Sequence, residues 1–394
     1  MPTNVLIAGA GVAGLEAALA LRALAEGRVS VELVSPDAEF VYRPLSVAAP
    51  FGLGEAQRFP LRRLAEEADA ELSEGAIHAV HPHRKAVEIS GGGEVPYDLL
   101  LLALGARAVE GIPGALTFRG PGDEEALREV LGEARAGRLR RLVFTMPAGI
   151  SWPLPLYELA LLTAVHLADA GVEVELELVT PEPRPLQLFG DAASDAVAEL
   201  LDRHRIGLRT DTVPGAVEGN VLRLVGTGEV EADRVVALPR IEGPRLLGVP
   251  HDQNGFVPID DHGRVRGVDD VYAAGDLTNF PIKQGGLAAQ QADTAAEAIA
   301  AAAGAEITPT PFKPVLRGLL LTGLTPRFMR SDVGSYESEL DTEPLWWPPG
   351  KIVGRHLAPF LASHLNVSAT PPRADGVEVE VELDRGPAGE WASI

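Results

Sequence analysis

A short apolar run at residues 4–8 (NVLIA) breaks directly into Gly9-Ala10-Gly11-Val12-Ala13-Gly14, and nothing else in the chain narrows its possible folds as far. Alanine- and leucine-rich sequence follows to Glu26 and reads as a helix that Gly27 stops, after which residues 29–34 (VSVELV) read as a second strand. This is a β-α-β unit with G-x-G-x-x-G at its first turn. Gly9 permits the tight turn, Gly11 lets a diphosphate approach the backbone, and Gly14 lets helix and strand pack closely. The helix N-terminus adds amide donors and a favourable dipole. Gly9, Gly11, Ala13 and Gly14 are thus the candidate dinucleotide-binding turn. One feature departs from the pattern. The acid expected near the end of the second strand, to bind an adenosine ribose, is replaced by Ser35, with Asp37 two residues on. Either side chain can bond a hydroxyl.

A second β-α-β unit is expected, with strands at residues 141–146 and 172–180 and a helix over 156–170. Its turn reads PAGISWPLP over residues 147–155. Two prolines remove amide donors and Trp152 fills volume where a diphosphate would approach, which argues against ordinary NAD(P)H binding. Buried strands are expected at 97–104 and 235–238, and an alanine-rich helix runs to Ala303 with Gly304 behind it. From Ile307 prolines become frequent. Short apolar strands, the Trp346-Trp347-Pro348-Pro349 segment and a helix around 352–365 suggest a separate domain, and the alternating residues 377–383 (VEVEVEL) suggest an edge strand.

A chain of 394 residues exceeds one ordinary domain. The expected fold is α/β: two Rossmann-like dinucleotide-binding domains plus a smaller C-terminal α+β domain. The expected boundaries are 1–118 with 252–306 for a discontinuous first domain, 119–251 for the second and 307–394 for the third. A net charge of −22 argues against nucleic acid as a partner. The absence of cysteine excludes disulfides, thiolate metal sites, redox-active dithiols and flavin attachment through sulfur. His78, His81 and His83 cluster around a turn, but with no further ligand nearby a solvated β-turn is expected there and no metal. No run approaches the ~18 apolar residues of a spanning helix. The start MPTNVLIAGAG carries no basic n-region, so a cytoplasmic protein is expected.

Several motifs together resemble the FAD-dependent pyridine nucleotide-disulfide oxidoreductase superfamily, with sulfide:quinone oxidoreductases and type II NADH dehydrogenases the most similar in look. They are the first glycine turn, FVYRPL at 40–45, YDLLLLALGA at 97–106, DDVYAAGD at 269–276 and PIKQGGLAAQQA at 281–292. The resemblance covers roughly residues 4–305 and implies non-covalent FAD. It implies that Gly275 and Asp276 meet the ribityl and diphosphate region, that Leu104-Gly105 crosses near the FAD, and that the Ile77 backbone faces adenine. Arg43 and Pro44 would touch the isoalloxazine. The Gly286 and Leu287 amides would stabilise negative charge at the flavin, and Lys283 would add a full positive charge. Lys283 and Pro44 are therefore the residues expected at the reacting ring, unless Lys283 is a surface lysine before a helix.

Without cysteine, the redox-thiol chemistry of sulfide:quinone oxidoreductases is unavailable. The leading expectation is an FAD-dependent oxidoreductase working between a small-molecule donor and a quinone-like or other small acceptor. An NAD(P)H:acceptor reductase is the alternative, in which Gly149 is retained and Arg184 meets a 2′-phosphate, although Arg184 between two prolines also suits a solvent-facing loop. A third reading is an FAD-bound interaction or redox-sensing protein. Tyr157 and Glu158 are either proton carriers or simple helix-start residues. Trp346, Trp347 and the following helix, whose apolar stripe is Ile352, Val353, Leu357, Phe360 and Leu361, suit a quinone entrance or peripheral membrane anchor, or else the stripe packs against a domain interface or the second subunit of a homodimer.

Overall fold

A computed structural model describes residues 1–150, 152–333 and 338–365. Its first sheet runs Val271–Ala273, Leu99–Leu102, Thr3–Ala8, Val29–Ser35, Ala70–Glu74, with every neighbouring pair parallel. Leu99–Leu102 is four buried leucines in a row, as a central strand covered on both faces requires. On one face lie the helices Val12–Leu24 and Gly285–Ala302, which meet through alanines such as Ala17, Ala20, Ala292 and Ala296. These small side chains let the two backbones approach, which is how a chain with 5% aromatics packs densely. The other face is covered by an antiparallel sheet of Ile77–His81, Ala86–Ile89 and Gly93–Pro96.

The second parallel sheet runs Leu116–Thr117, Arg234–Ala237, Arg141–Thr145, Glu175–Val179, Ile206–Arg209. Leu116–Thr117 lies on the first-domain side of the boundary expected at 118, yet it is hydrogen-bonded into this second sheet. The helix after Arg141–Thr145 spans Leu154–Asp169 and starts two residues earlier than the sequence suggests. Pro155 is accommodated in its first turn, where a missing N–H costs no intrahelical bond. Arg107–Val109 and Arg240–Glu242 pair antiparallel between the two sheets.

Val315–Leu320, Arg327–Asp332 and Ser338–Asp341 form an antiparallel C-terminal sheet. The last described helix is Leu357–His364, shorter than expected, with Ile352 ahead of it. Its stripe turns inward: Ile352, Leu357 and Leu361 are buried in the core of the first domain, with Phe360 packed against them. The stripe therefore packs on the domain interface, one of the readings its pattern allowed. Glu16 of the first helix, fully buried, fixes this docking by accepting from the His356 and Leu357 N–H groups at 2.7 Å each. No helix among the described residues is long and apolar enough to cross a membrane. The strand expected at 377–383 lies outside the described residues.

Candidate functional site

The first glycine turn has the form of a diphosphate cradle. Gly9 sits at φ +103°, and a Cβ there would lie 2.4 Å from the Ala103 carbonyl oxygen. A Cβ on Gly14 would lie 1.9 Å from the Gly9 carbonyl oxygen, so both positions demand glycine for packing alone. A Cβ on Gly11 would meet nothing within 4 Å. Gly11 is also the N-cap of the Val12–Leu24 helix, and no side chain caps that end. An open glycine face before uncapped amides is the donor set a diphosphate needs, so the turn fits FAD. Ala13 is buried, and Gly275, at φ +82°, packs its α-carbon side against it. Leu104-Gly105 follows directly on the Ala103 carbonyl that Gly9 approaches.

Asp276 is the middle residue of a short 3-10 turn, Gly275–Leu277, that follows the Val271–Ala273 strand. Burial raises its pKa, with Lys283 and Arg43 opposing, and among the described residues no hydrogen bond reaches its carboxylate. A carboxylate in that state suits the hydroxyls of a bound cofactor. Ser35 and Asp37 are distinguished by their surroundings. The buried Ser35 hydroxyl accepts from the Asp37 N–H at 3.2 Å, which leaves the exposed Asp37 carboxylate facing outward at the strand end. Ile77 opens the strand beside this end of the sheet and packs partly buried on the adjoining core.

The start of the Gly285–Ala302 helix differs from expectation in one respect. Gln284 is its N-cap, and its Oε1 accepts from the Leu287 N–H at 2.8 Å. The Leu287 amide is therefore already used, whereas Gly285 lines the cleft and Gly286 lies beside it in the same first turn. Lys283 is also engaged. Its ammonium donates to the Thr278 carbonyl and, at 2.8 Å, to the Phe280 carbonyl, and it lies 3.8 Å from the centre of the Phe256 ring. Burial pulls its pKa down to about 8, against the attraction of Asp276 and Asp252. It is a clamp on its own loop rather than a surface lysine, and it keeps its charge in range of Asp276.

Arg43–Val47 is a short 3-10 turn entered from the strand Glu39–Tyr42. The buried Tyr42 hydroxyl accepts from the Ile352 N–H at 3.1 Å, and burial pushes its pKa up to about 12. Pro44 offers its carbonyl to Lys351 at 3.3 Å. Lys351 also forms a bidentate ion pair with the fully buried Glu158, at 2.6 and 2.7 Å. Glu158 accepts a further bond from the Leu321 N–H at 2.8 Å, and burial raises its pKa despite that lysine. Glu158 is thus more than a helix-start residue, and Lys351 is the partner that the sequence does not reveal.

These groups share one cleft of about 370 Å³, where Arg43, Pro44, Asp276, Lys283 and Gly285 face Trp152 and the C-terminal sheet. Gly149, at φ +81° with open space before it, lines the same cleft. Arg184 is not among the residues lining it; its guanidinium meets the exposed carboxylates of Asp191, at 2.6 Å, and Asp195. Tyr157 is buried and donates to Glu182 at 2.5 Å, so it is an internal contact rather than a proton carrier of the cleft. Burial raises the Glu182 pKa to about 7.

A family model described as Pyridine nucleotide-disulphide oxidoreductase matches residues 3–144 and 158–302, and the interval between the two matches is the altered turn. An NADH dehydrogenase-like protein of Mycobacterium tuberculosis is 28% identical over 293 residues, 70% of this chain and 72% of that protein. The ferredoxin–NAD(+) reductase component of the biphenyl dioxygenase system of Paraburkholderia xenovorans is 25% identical over 314 residues, 73% of this chain and 70% of its own. Among solved structures, the sulfide:quinone oxidoreductase of Aquifex aeolicus superimposes with a TM-score of 0.79 at 20% identity, covering 86% of this chain and 87% of that one. The first two relatives are named for reactions of NADH or NAD(+), so the expectation against a nicotinamide nucleotide draws no support from them.

Proposed function

The chain belongs to the pyridine nucleotide-disulphide oxidoreductase family of FAD-dependent oxidoreductases, and on that premise we propose that it passes electrons between a small donor and a quinone-like or other small acceptor. It does so through non-covalent FAD and without cysteine chemistry. One observation carries this reading: a chain without cysteine has both an open Gly11 face at an uncapped helix start and a cleft bordered by the Asp276 carboxylate and the Gly285 helix start. FAD, when bound, takes up and returns electrons at its isoalloxazine ring.

The chain's own residues do the rest. The 9–14 turn and the amides behind it hold the diphosphate, Asp276 accepts from ribityl hydroxyls, and Asp37 in preference to Ser35 accepts from the adenosine ribose. Gly275, Leu104-Gly105 and the Ile77 backbone shape the channel for the remainder. Arg43 and Pro44 bound the ring, and the Gly285 and Gly286 amides face negative charge developing on it. Lys283 adds a positive charge to the same field while it is protonated. Ile352 and Trp152 keep water from the ring.

The second reading, a nicotinamide nucleotide as the donor, is favoured by Gly149, whose open face borders the same cleft. Anaerobic stopped-flow mixing of the FAD-loaded protein with NADH and NADPH tests it. Bleaching of the flavin band on a turnover timescale makes this chain an NAD(P)H:acceptor reductase. A flavin that stays oxidised with both, yet bleaches with dithionite, moves the donor to another chemical class.

A further inference from the structure

The cleft is cationic although the chain is acidic. Arg43, Arg119, Arg240, Lys283, Arg317 and Lys351 line it against the carboxylates of Glu158 and Asp276 alone, in a protein of net charge −22. Most of these cations have partners. Lys351 holds Glu158, Arg119 holds Asp123 at 3.3 Å, and Arg240 holds Glu242 at 2.8 Å. Lys283 is tied to its loop, and Arg43 sits within the field of Asp276.

Arg43 and Arg317 alone among the six form no ion pair or side-chain hydrogen bond with a described residue, and of the two only Arg317 lies on the strand Val315–Leu320, which forms the C-terminal wall of the cleft. Its cross-strand partner is another arginine, Arg330. Like charges directly opposite on a sheet are destabilising unless something answers them. Arg330 meets Asp332 and Glu339 only loosely, at 3.5 Å each, and its Nε is buried without an acceptor. Burial, then Arg330, lowers the Arg317 pKa, while Asp332 opposes. The neighbouring wall is apolar. Gly318 abuts the Phe189 ring, whose edge meets Trp152 at a centroid distance of 5.9 Å, and Ile150 and Leu319 line the same space.

We propose that this wall is a carboxylate subsite, in which Arg317 holds the anionic group of a small organic acid whose apolar body lies along Trp152, Ile150 and Leu319. A guanidinium offers a planar fork to a carboxylate, and a dry apolar flank strengthens that bond. The organic acid then belongs to the substrate side of the cleft. Only its role as redox partner rests on the flavin reading; its binding does not.

Calorimetric titration of the full-length, FAD-loaded protein with benzoate, and in parallel with neutral benzyl alcohol, tests the subsite. The expected result is saturable benzoate binding at least about tenfold tighter than benzyl alcohol. Arg317→Met should weaken benzoate about tenfold or more and leave benzyl alcohol unchanged, with Arg317→Lys in between. Equal binding of the two probes by the natural protein overturns the proposal without any variant, as does full benzoate affinity in a folded Arg317→Met protein. Flavin content is read separately from the absorbance of the same sample. Benzoate binding without flavin therefore sinks the functional reading alone, and flavin without benzoate discrimination sinks the subsite alone.

Discussion

Lys351 and Glu158 lie 193 positions apart, yet they form a bidentate ion pair with side chains 7% and 0% exposed. Together with the Pro44 carbonyl, the pair joins the second domain, the C-terminal segment and the flavin-side loop at one point. Removing one member strands the other charge. Glu158→Gln or Lys351→Met should cost about 3–5 kcal/mol of unfolding free energy. The double variant Glu158→Leu/Lys351→Met should cost less than either single change, and urea denaturation of the three proteins reads the difference.

The glycine turn separates folding from binding. Gly14→Ala places a methyl group 1.9 Å from the Gly9 carbonyl and should destabilise the chain by about 1–3 kcal/mol or more. Gly11→Ala meets nothing within 4 Å, so it should fold with an unchanged melting temperature when stripped of FAD and yet retain less FAD on purification. Equal FAD retention in Gly11→Ala and the natural protein would remove the diphosphate from this turn.

Lys283 sets a pH dependence. Its folded pKa of about 8 lies below its free value of 10.5, so the charged form costs stability. That cost is fully present below about 8 and is relieved as pH rises from there towards 10.5. In the folded protein its charge beside Asp276 is lost as pH passes through about 8. The flavin midpoint potential should therefore fall more steeply with pH above about 8 than in Lys283→Met, as redox titration at several pH values would record.

The docking of Leu357–His364 should also respond to pH. Asp293 lies beside Glu16, and burial followed by that neighbouring charge raises its pKa. His356 Nε2 stands 3.9 Å away, and Arg355 and Glu297 contribute opposing charges. A carboxyl with a raised pKa binds its proton more tightly when folded, so stability falls as pH rises from the ordinary value of 3.8 towards the raised one. Asp293→Asn should flatten this decline in melting temperature across the neutral range.

Local sequence carried the parts of the site whose chemistry is local. G-x-G-x-x-G and Gly275-Asp276 could be read because each glycine's task involves its own turn and the adjoining strands. The use of the Leu287 amide by Gln284 was within reach too, since a side-chain acceptor at the N-cap ordinarily takes an amide of the first turn. The pairing of Lys351 with Glu158, the capture of Arg184 by Asp191 and Asp195, and the inward turn of the 352–361 stripe were not legible. Each depends on which distant elements meet, and an amphipathic stripe alone does not say what covers it.

Anaerobic titration of the purified yellow protein with dithionite tests the central claim most directly. Bound FAD should take up one flavin's worth of reducing equivalents, with no long-wavelength thiolate–flavin charge-transfer band. A protein that purifies without FAD and takes none up, or one that consumes further equivalents from a second redox centre, would contradict it.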